Sequence, residues 1–306
     1  MRAIAYGHGD GKNLWDVFTA WISDVRWDTS LGKTSVLPEV GKPHYHGTVQ
    51  MLMVEVKEVL PRATVSTVIC QARFPMLLAI ERKMPEIQLA LLDVFPTLQV
   101  NYEYSVIIGD PAKLANPENV PPVIRQQASE PNKSWVFESK DGDQLQINAG
   151  SITLTSKKHT SYNQPAAPKK FRDLAQVSYS AVIANVKIPY LDRVGLRYVD
   201  SCPLEKSNEK FRRWFNVPLP IDRFALEKTD EMRIVTRTKV DDAIMILHQA
   251  SFGAAEPGKL VLDYDAYQLN ASTEKFLPTL DVLHEAILKE YGKDITEEFL
   301  DYMRSK

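Results

Sequence analysis

Cysteine is scarce in this chain of 306 residues, which has only Cys70 and Cys202. Two thiols in apolar, strand-like surroundings are too few for a disulfide framework, so we expect both to be buried and free. The sequence also lacks an apolar run long enough to cross a bilayer and an N-terminal signal-peptide core. These absences predict a cytoplasmic protein with no membrane association.

An excess of charge of one sign is also absent. The chain has 37 Lys and Arg against 39 Asp and Glu, a formal net charge of −2 at pH 7. No global field therefore favours nucleic acid, which stays open as a partner but is not favoured. A hydrophobic fraction of 44% predicts a globular protein with a sizeable core.

Motifs that bind nucleotides or metals are incomplete. Gly32-Lys33-Thr34 resembles the end of a phosphate-binding loop, but Trp27 stands where the loop needs its first glycine. His44 and His46 supply two imidazoles, whereas a zinc site needs three or four ligands. No Gly-x-Ser-x-Gly nucleophile elbow occurs. We therefore expect no metal and no cofactor, and the sequence leans towards a binding protein without excluding an enzyme.

The composition changes near residue 50. The stretch before it is rich in tryptophan, histidine and glycine, whereas regular strand and helix patterns follow. The sequence leaves open whether residues 1–50 belong to the protein. The predicted segments are an atypical N-terminal extension (1–52), a first α+β unit (53–108), a proline-rich connection (109–133) and a main α+β unit with C-terminal helices (134–306).

Short β-branched and aromatic runs outnumber amphipathic helical stretches. Strands follow one another closely, as in Gln144–Asn148 and Ser151–Ser156, which predicts hairpins. A helix is expected over Leu277–Tyr291, ended by Gly292. The pattern predicts an α+β fold in which long helices pack on a large antiparallel sheet, with a helix-grip-like arrangement as one form of it.

One predicted strand, Arg193–Asp200, carries two arginines on one face. Arg193 and Arg197 share that face with Gly195 between them, whereas Tyr198 points to the opposite, apolar side. We expect Gly195 to mark a bulge or a close approach by another backbone. Tyr198 should serve the core, with its hydroxyl reaching a partner.

Two further predicted strands, Arg233–Lys239 and Val261–Tyr267, carry charges at alternate positions. If these strands and Arg193–Asp200 belong to one sheet, all of the charges lie on one face. Three interpretations stay open: a solvated face of cross-strand ion pairs, a basic surface that captures an anion or an acidic partner segment, and a metal site at the two aspartates. The candidate binding residues are Arg193, Arg197, Arg233, Arg237, Lys239, Asp263, Asp265 and Tyr198.

Several short sequence elements follow one another along the chain in a characteristic order. They are Leu60-Pro61-Arg62-Ala63, Cys70-Gln71-Ala72-Arg73-Phe74-Pro75, Phe95-Pro96, Trp135-Val136-Phe137, Arg193-x-Gly195-Leu196-Arg197-Tyr198 and Leu283-His284-Glu285. Together they resemble a bacterial protein family of sporadic species distribution, over roughly residues 58–304, and the arginine element is the most specific. The family has no established activity, and its pattern usually has Asn where this chain has Asp200. Its distribution resembles that of defence-associated genes.

Three functions follow as hypotheses. The preferred one is a non-enzymatic recognition protein for a partner protein or anionic ligand, in a bacterial conflict, phage-defence or toxin–antitoxin setting. The second is a small-molecule-binding protein of the helix-grip type, with a cavity lined by aromatic strand residues. These residues are Tyr102, Tyr104, Phe137, Tyr198 and Tyr264. The third is a metal-dependent phosphoester or nucleotide enzyme that uses Asp263 and Asp265 with Arg193 and Arg197.

Overall fold

The structure is a computed structural model that describes residues 54–56, 59–103, 132–157, 161–254 and 257–305. The chain divides into two units, Met1–Val49 and Gln50–Lys306, and every described residue belongs to the second. Gly32-Lys33-Thr34, His44 and His46 lie outside the described residues.

The described residues form one nine-stranded sheet in which all neighbouring strands are antiparallel. The strand order is β2-β3-β4-β5-β1-β6-β9-β8-β7. The predicted large antiparallel sheet is therefore confirmed. The strands are β1 (Val65–Arg73), β2 (Thr97–Glu103), β3 (Asn132–Glu138), β4 (Gln144–Asn148), β5 (Ser151–Ser156), β6 (Leu191–Pro203), β7 (Met232–Lys239), β8 (Ile244–Phe252) and β9 (Lys259–Ala271).

Five α-helices occur in the described part of the chain, which confirms a mixed α and β fold. None of them is long and apolar enough to cross a membrane. The helices are α1 (Ala79–Leu91), α2 (Phe171–Ile183), α3 (Asn208–Trp214), α4 (Phe276–Asp294) and α5 (Glu297–Arg304).

Helix α4 is longer than its sequence predicts. Gly292 does not end it, and the helix continues to Asp294. Gly292 has no positive φ of the kind that terminates helices. Instead it is buried, and its carbonyl accepts a hydrogen bond from the backbone N–H of Val54 at 2.9 Å. The glycine thus lies where another segment approaches the helix.

The two halves of the sheet are connected in a similar order, with four strands in the first meander and three in the second. Strand β1 leads through α1 into the meander β2 to β5, and β5 returns to pair with β1. Strand β6 leads through α3 into the meander β7 to β9, and β9 returns to pair with β6. β1 and β6 pair with each other at the centre, with Cys70 opposite Leu196. The predicted segments 53–108 and 134–306 therefore share one sheet.

The two faces of the sheet differ in burial because the helices contact one of them. The even-numbered residues from 194 to 202 on β6 and from 260 to 266 on β9 are buried, among them Leu196 and Ala266. Helix α4 packs against both of these strands, and α2 packs against β5. We call the helix-covered side the inner face. The odd-numbered residues of the same strands lie on the opposite, outer face and carry most of the predicted charges.

Candidate functional site

The outer face brings together seven of the eight residues that the sequence offers as a binding site. Strands β6, β9, β8 and β7 are successive neighbours. One row of opposite residues crosses these four strands: Arg197 on β6, Asp265 on β9, Leu247 on β8 and Arg237 on β7. Alternation then places the whole charged set on this face: Arg193, Arg197, Arg233, Arg237, Lys239, Asp263 and Asp265.

The two arginines of β6 are each paired with an aspartate of β9. Arg193 Nη2 donates to both carboxylate oxygens of Asp265, at 2.6 and 2.8 Å. Arg197 donates from Nε and Nη2 to the two oxygens of Asp263, at 2.8 and 2.6 Å. These charge-assisted pairs leave the four side chains between 12 and 24% exposed.

Gly195 does not mark a bulge, which corrects the expectation from the sequence. It pairs in unbroken register with Gln71 on one side and Tyr267 on the other. The close approach comes from a side chain and not from a backbone, because the guanidinium of Arg193 lies over Gly195. The missing side chain gives Arg193 a path along its own strand to Asp265, which lies opposite Arg197.

The four charges of these two pairs balance one another. Burial raises the pKa of Asp265, although the charges of Arg193 and Arg197 oppose the rise. Burial disfavours the charged form of Arg197, but the hydrogen bond to Asp263 outweighs the effect of burial, so the pKa of Arg197 is raised. An anion at these arginines would have to compete with the aspartates. Among the described residues, no group of three His, Cys, Asp or Glu side chains is placed to hold a metal ion.

The three cations of β7 are the exposed part of the charged set. Their contacts are with neighbouring side chains: Arg233 with Gln249, Arg237 with the hydroxyl of Tyr267, and Lys239 with Asp242 at 3.0 Å. Strand β7 is at one end of the described sheet. Charge at such an end commonly discourages edge-to-edge pairing.

Tyr198 is separated from the other candidates by the sheet. It lies on the inner face, 6% exposed, with its hydroxyl oxygen 2.8 Å from His284 Nδ1. The His284 ring stacks on Tyr162 with a centroid separation of 4.0 Å. The Tyr162 hydroxyl donates to Asp281, which also accepts two hydrogen bonds from Arg172. Tyr198 thus ends a polar chain that enters from the surface of α2 and α4.

A cavity of about 500 Å³ opens beside Tyr198. Its walls come from the chain that precedes β1, from residues 161–164, from β6 and from α4, with Met303 of α5. Apolar side chains such as Leu60 and Ile287 alternate with polar groups, including Asp200 and His284. The cavity lies on the inner face, between the segment that precedes β1 and helix α4.

Asp200 is the buried carboxylate of this cavity, and it is 2% exposed. Its Oδ1 accepts a hydrogen bond from Thr64 Oγ1 at 2.7 Å. Because Thr64 gives its proton to Asp200, it accepts one from the hydroxyl of Tyr291, 2.9 Å away. Burial raises the pKa of Asp200 to about 7; the Thr64 hydrogen bond opposes the rise, and the charge of Asp263 adds to it.

A second buried carboxylate, Asp294, lies at the end of α4. It accepts a hydrogen bond of 2.6 Å from the hydroxyl of Tyr264, and His248 Nε2 lies 3.2 Å from the same oxygen. The His248 and Tyr264 rings stack at 4.7 Å. The contact between His248 Nε2 and Asp294 is close, but it does not have the geometry of a hydrogen bond. Burial raises the pKa of Asp294.

The aromatic lining expected for a cavity is mostly elsewhere. Tyr198 lines the cavity, but Phe137 and Tyr264 are fully buried in the core. Tyr102 is 52% exposed, and Tyr104 lies outside the described residues.

Sequence reasoning missed most of the polar groups of the cavity. Thr64 and Tyr162 lie outside the strands and helices, whereas His284 and Tyr291 lie on α4, so only the tertiary fold brings these groups together. One signal was present for Asp200: on β6 it shares the face of Tyr198 and the apolar residues, and a carboxylate on such a face is buried.

Comparison with known proteins adds no assignment. No protein-family model matches the chain, and no curated protein matches it. The family resemblance of the arginine strand therefore stays a prediction.

Proposed function

We propose that this protein binds a small organic molecule in the cavity between β6 and α4. The observation that carries the proposal is the meeting of Tyr198, Asp200 and His284 at a cavity whose other walls are largely apolar. Ligand sites of globular proteins commonly combine an apolar wall with a few convergent polar groups.

The size of the cavity supports the proposal. About 500 Å³ lies within the usual range of roughly 300–1,000 Å³ for small-molecule sites. The buried Asp200 also needs a solvating or hydrogen-bonding partner beyond Thr64 when it is ionised. A ligand that supplies such a partner would stabilise the folded protein.

The proposal includes a helix-grip-like arrangement. In it, the long helix α4, with 19 residues, lies on the antiparallel sheet and lines the cavity. The contacts of α4 with β6 and β9 on the inner face support this arrangement.

Ligand-observed NMR with a library of neutral, cationic and anionic fragments tests the proposal. Leu288 of α4 is half-buried and lines the cavity, so Leu288→Trp should fill it. Val282 of the same helix is 50% exposed and does not line it, which makes Val282→Trp the matched control. We expect fragments that bind the wild-type chain and the control but are lost in Leu288→Trp.

Two results would reject binding in the cavity. One is a library in which no fragment binds the wild-type chain. The other is a set of fragments whose binding is unchanged in Leu288→Trp. The thermal melting curve of each variant must first show that it folds.

Recognition of an acidic partner segment is the second candidate, and we place it on β7. The exposed Arg233, Arg237 and Lys239 favour it, because among the described residues none of these cations has a salt bridge to another strand, and Lys239 pairs only with the nearby Asp242. An extended acidic segment beside β7 would meet a row of positive charge. The arginines of β6 support this function less, because Asp263 and Asp265 already pair with them.

A fluorescently labelled oligoglutamate peptide tests this second candidate by anisotropy at low and physiological salt. Replacing Arg237 by Gln should weaken binding severalfold, whereas Lys259→Gln at the start of β9 removes the same single charge and serves as the control. Equal losses in both variants, or no binding at low salt, would reject it.

A further inference from the structure

The charged groups that line the cavity are unequal in burial. Glu55, Glu285 and Lys289 are exposed, so water solvates them. Asp200 and His284 are buried. Burial keeps the phenols of Tyr162, Tyr198 and Tyr291 neutral by raising their pKa. Asp200 is therefore the group inside the cavity that can carry a negative charge out of contact with bulk water.

Asp200 lacks a cation of its own within the described residues. Its carboxylate accepts one side-chain hydrogen bond, from Thr64, and takes part in no ion pair there. The buried carboxylates of β9 and α4 each have a nearby cation or histidine: Asp263 has Arg197, and Asp294 has His248. A buried carboxylate with one neutral donor and a cavity beside it is built to accept a further donor.

The walls beside Asp200 also suit a cation with an apolar body. The rings of Tyr162, Tyr198 and Tyr291 line the same cavity. Aromatic faces attract ammonium groups, and this attraction is stronger where water is excluded. Ile287 and Met303 add apolar surface for the remainder of such a molecule.

We propose that the molecule bound in this cavity is a small organic amine, whose ammonium group pairs with Asp200 while its apolar body packs against the tyrosines and Ile287. The inference rests on the proposed function, since it assigns the ligand class of the same cavity. It adds one requirement: tight binding needs both a positive charge on the ligand and an ionised carboxylate at Asp200.

Phenethylamine and 2-phenylethanol are suitable probes, because they share a skeleton and differ in charge. Calorimetric titration of the full chain at pH 8 should show phenethylamine binding at least tenfold more tightly than the alcohol. Asp200→Asn retains the shape and the Thr64 contact but removes the charge, so it should abolish this preference. Leu288→Trp should abolish the binding of both probes.

The wild-type chain provides a second measurement that does not depend on a variant folding. Because the pKa of Asp200 is about 7, an ammonium ligand must displace its proton at lower pH. Phenethylamine affinity should therefore fall roughly tenfold between pH 8 and pH 6, while the affinity of 2-phenylethanol stays constant.

Equal affinity for both probes, or an amine preference that persists in Asp200→Asn, would overturn the inference. So would the absence of phenethylamine binding at millimolar concentration. If other fragments still bind and are lost in Leu288→Trp, binding in the cavity stands and the amine assignment alone fails. If no fragment binds, both fail.

Discussion

The guanidinium of Arg193 fills the space over Gly195 that a side chain would need. A Cβ placed on Gly195 would lie 2.7 Å from Arg193 Cζ, well inside van der Waals contact. The same guanidinium donates both hydrogen bonds to Asp265 and lies 4.8 Å from the centre of the Tyr267 ring. The ion pair between Arg193 and Asp265 therefore depends on the absence of a side chain at Gly195.

Gly195→Ala should lower the free energy of unfolding by about 1–3 kcal/mol, because the methyl group displaces Arg193 and leaves Asp265 with a weakened partner. Gly253→Ala is the control, since its Cβ would meet only the flexible Glu231 side chain at 3.3 Å. Urea denaturation measures both. In an Arg193→Ala background the cost of Gly195→Ala should nearly vanish, and a cost that persists there would contradict the coupling.

Arg197→Ala should destabilise the protein by about 2–4 kcal/mol, because it leaves the buried carboxylate of Asp263 without its cation. Arg233→Ala on exposed β7 should change stability by no more than about 0.5 kcal/mol. Chemical denaturation compares the two. An Arg197→Ala chain with wild-type stability would show that the arginine is not a fold element and would return it to the list of binding candidates.

Asp200→Asn should stabilise the protein, relative to wild type, more at high pH than at low pH. The folded-state pKa of about 7 lies above the ordinary value of 3.8, so wild-type stability falls as pH rises from about 4 to 7. The stability difference between variant and wild type should change by about 2–3 kcal/mol from pH 5 to pH 8 in urea denaturation.

Asp281→Asn is the control for that pH dependence. The hydrogen bonds from Arg172 and Tyr162 outweigh burial and lower the pKa of Asp281, so it is ionised at both pH values. Its effect on stability should therefore be the same at pH 5 and pH 8. A pH-independent effect of Asp200→Asn would contradict the raised pKa.

Tyr264→Phe should cost about 1–3 kcal/mol of unfolding free energy, because it removes the hydroxyl that donates to the buried Asp294. Tyr267→Phe is the matched control on the same strand, since its hydroxyl lies on the outer face and contacts the exposed Arg237. Thermal melting of both variants is sufficient. Equal melting temperatures would show that Asp294 finds another donor.

Cys70 and Cys202 should both resist a thiol reagent at pH 8 until the protein unfolds. Burial raises the pKa of Cys70 to about 12 and that of Cys202 well above its usual range, so neither forms the reactive thiolate. The labelling rate should follow the fraction unfolded as urea is added. Rapid labelling of either thiol in the native protein would contradict this prediction.

The local parts of the fold were predictable from the sequence. Alternation and turn residues give β4 and β5 the bounds that the structure shows, Gln144–Asn148 and Ser151–Ser156. The same two-residue period predicted which charges share a face. The short helix α3 was missed, because the pattern of Asn208–Trp214 is too brief to reveal a buried stripe.

The lining of the cavity was not predictable beyond Tyr198, because it comes from segments far apart in the sequence. Thr64 and Asp200 are 136 positions apart, and Thr64 and Tyr291 are 227 apart. No local pattern encodes these meetings. The ion pairs of Arg193 and Arg197 were predictable only as counter-charges, because their choice of aspartate depends on the register between β6 and β9.

The connection order of the first half has a consequence for synthesis of the chain. The meander β2 to β5 and its return to β1 can form as soon as residue 156 has left the ribosome, but β6 begins only at Leu191, after helix α2. Until then β1, with its apolar Val68, Cys70 and Ala72, is an open edge without a neighbour on one side. We therefore expect this edge to be open to aggregation until β6 (Leu191–Pro203) is made and pairs with β1.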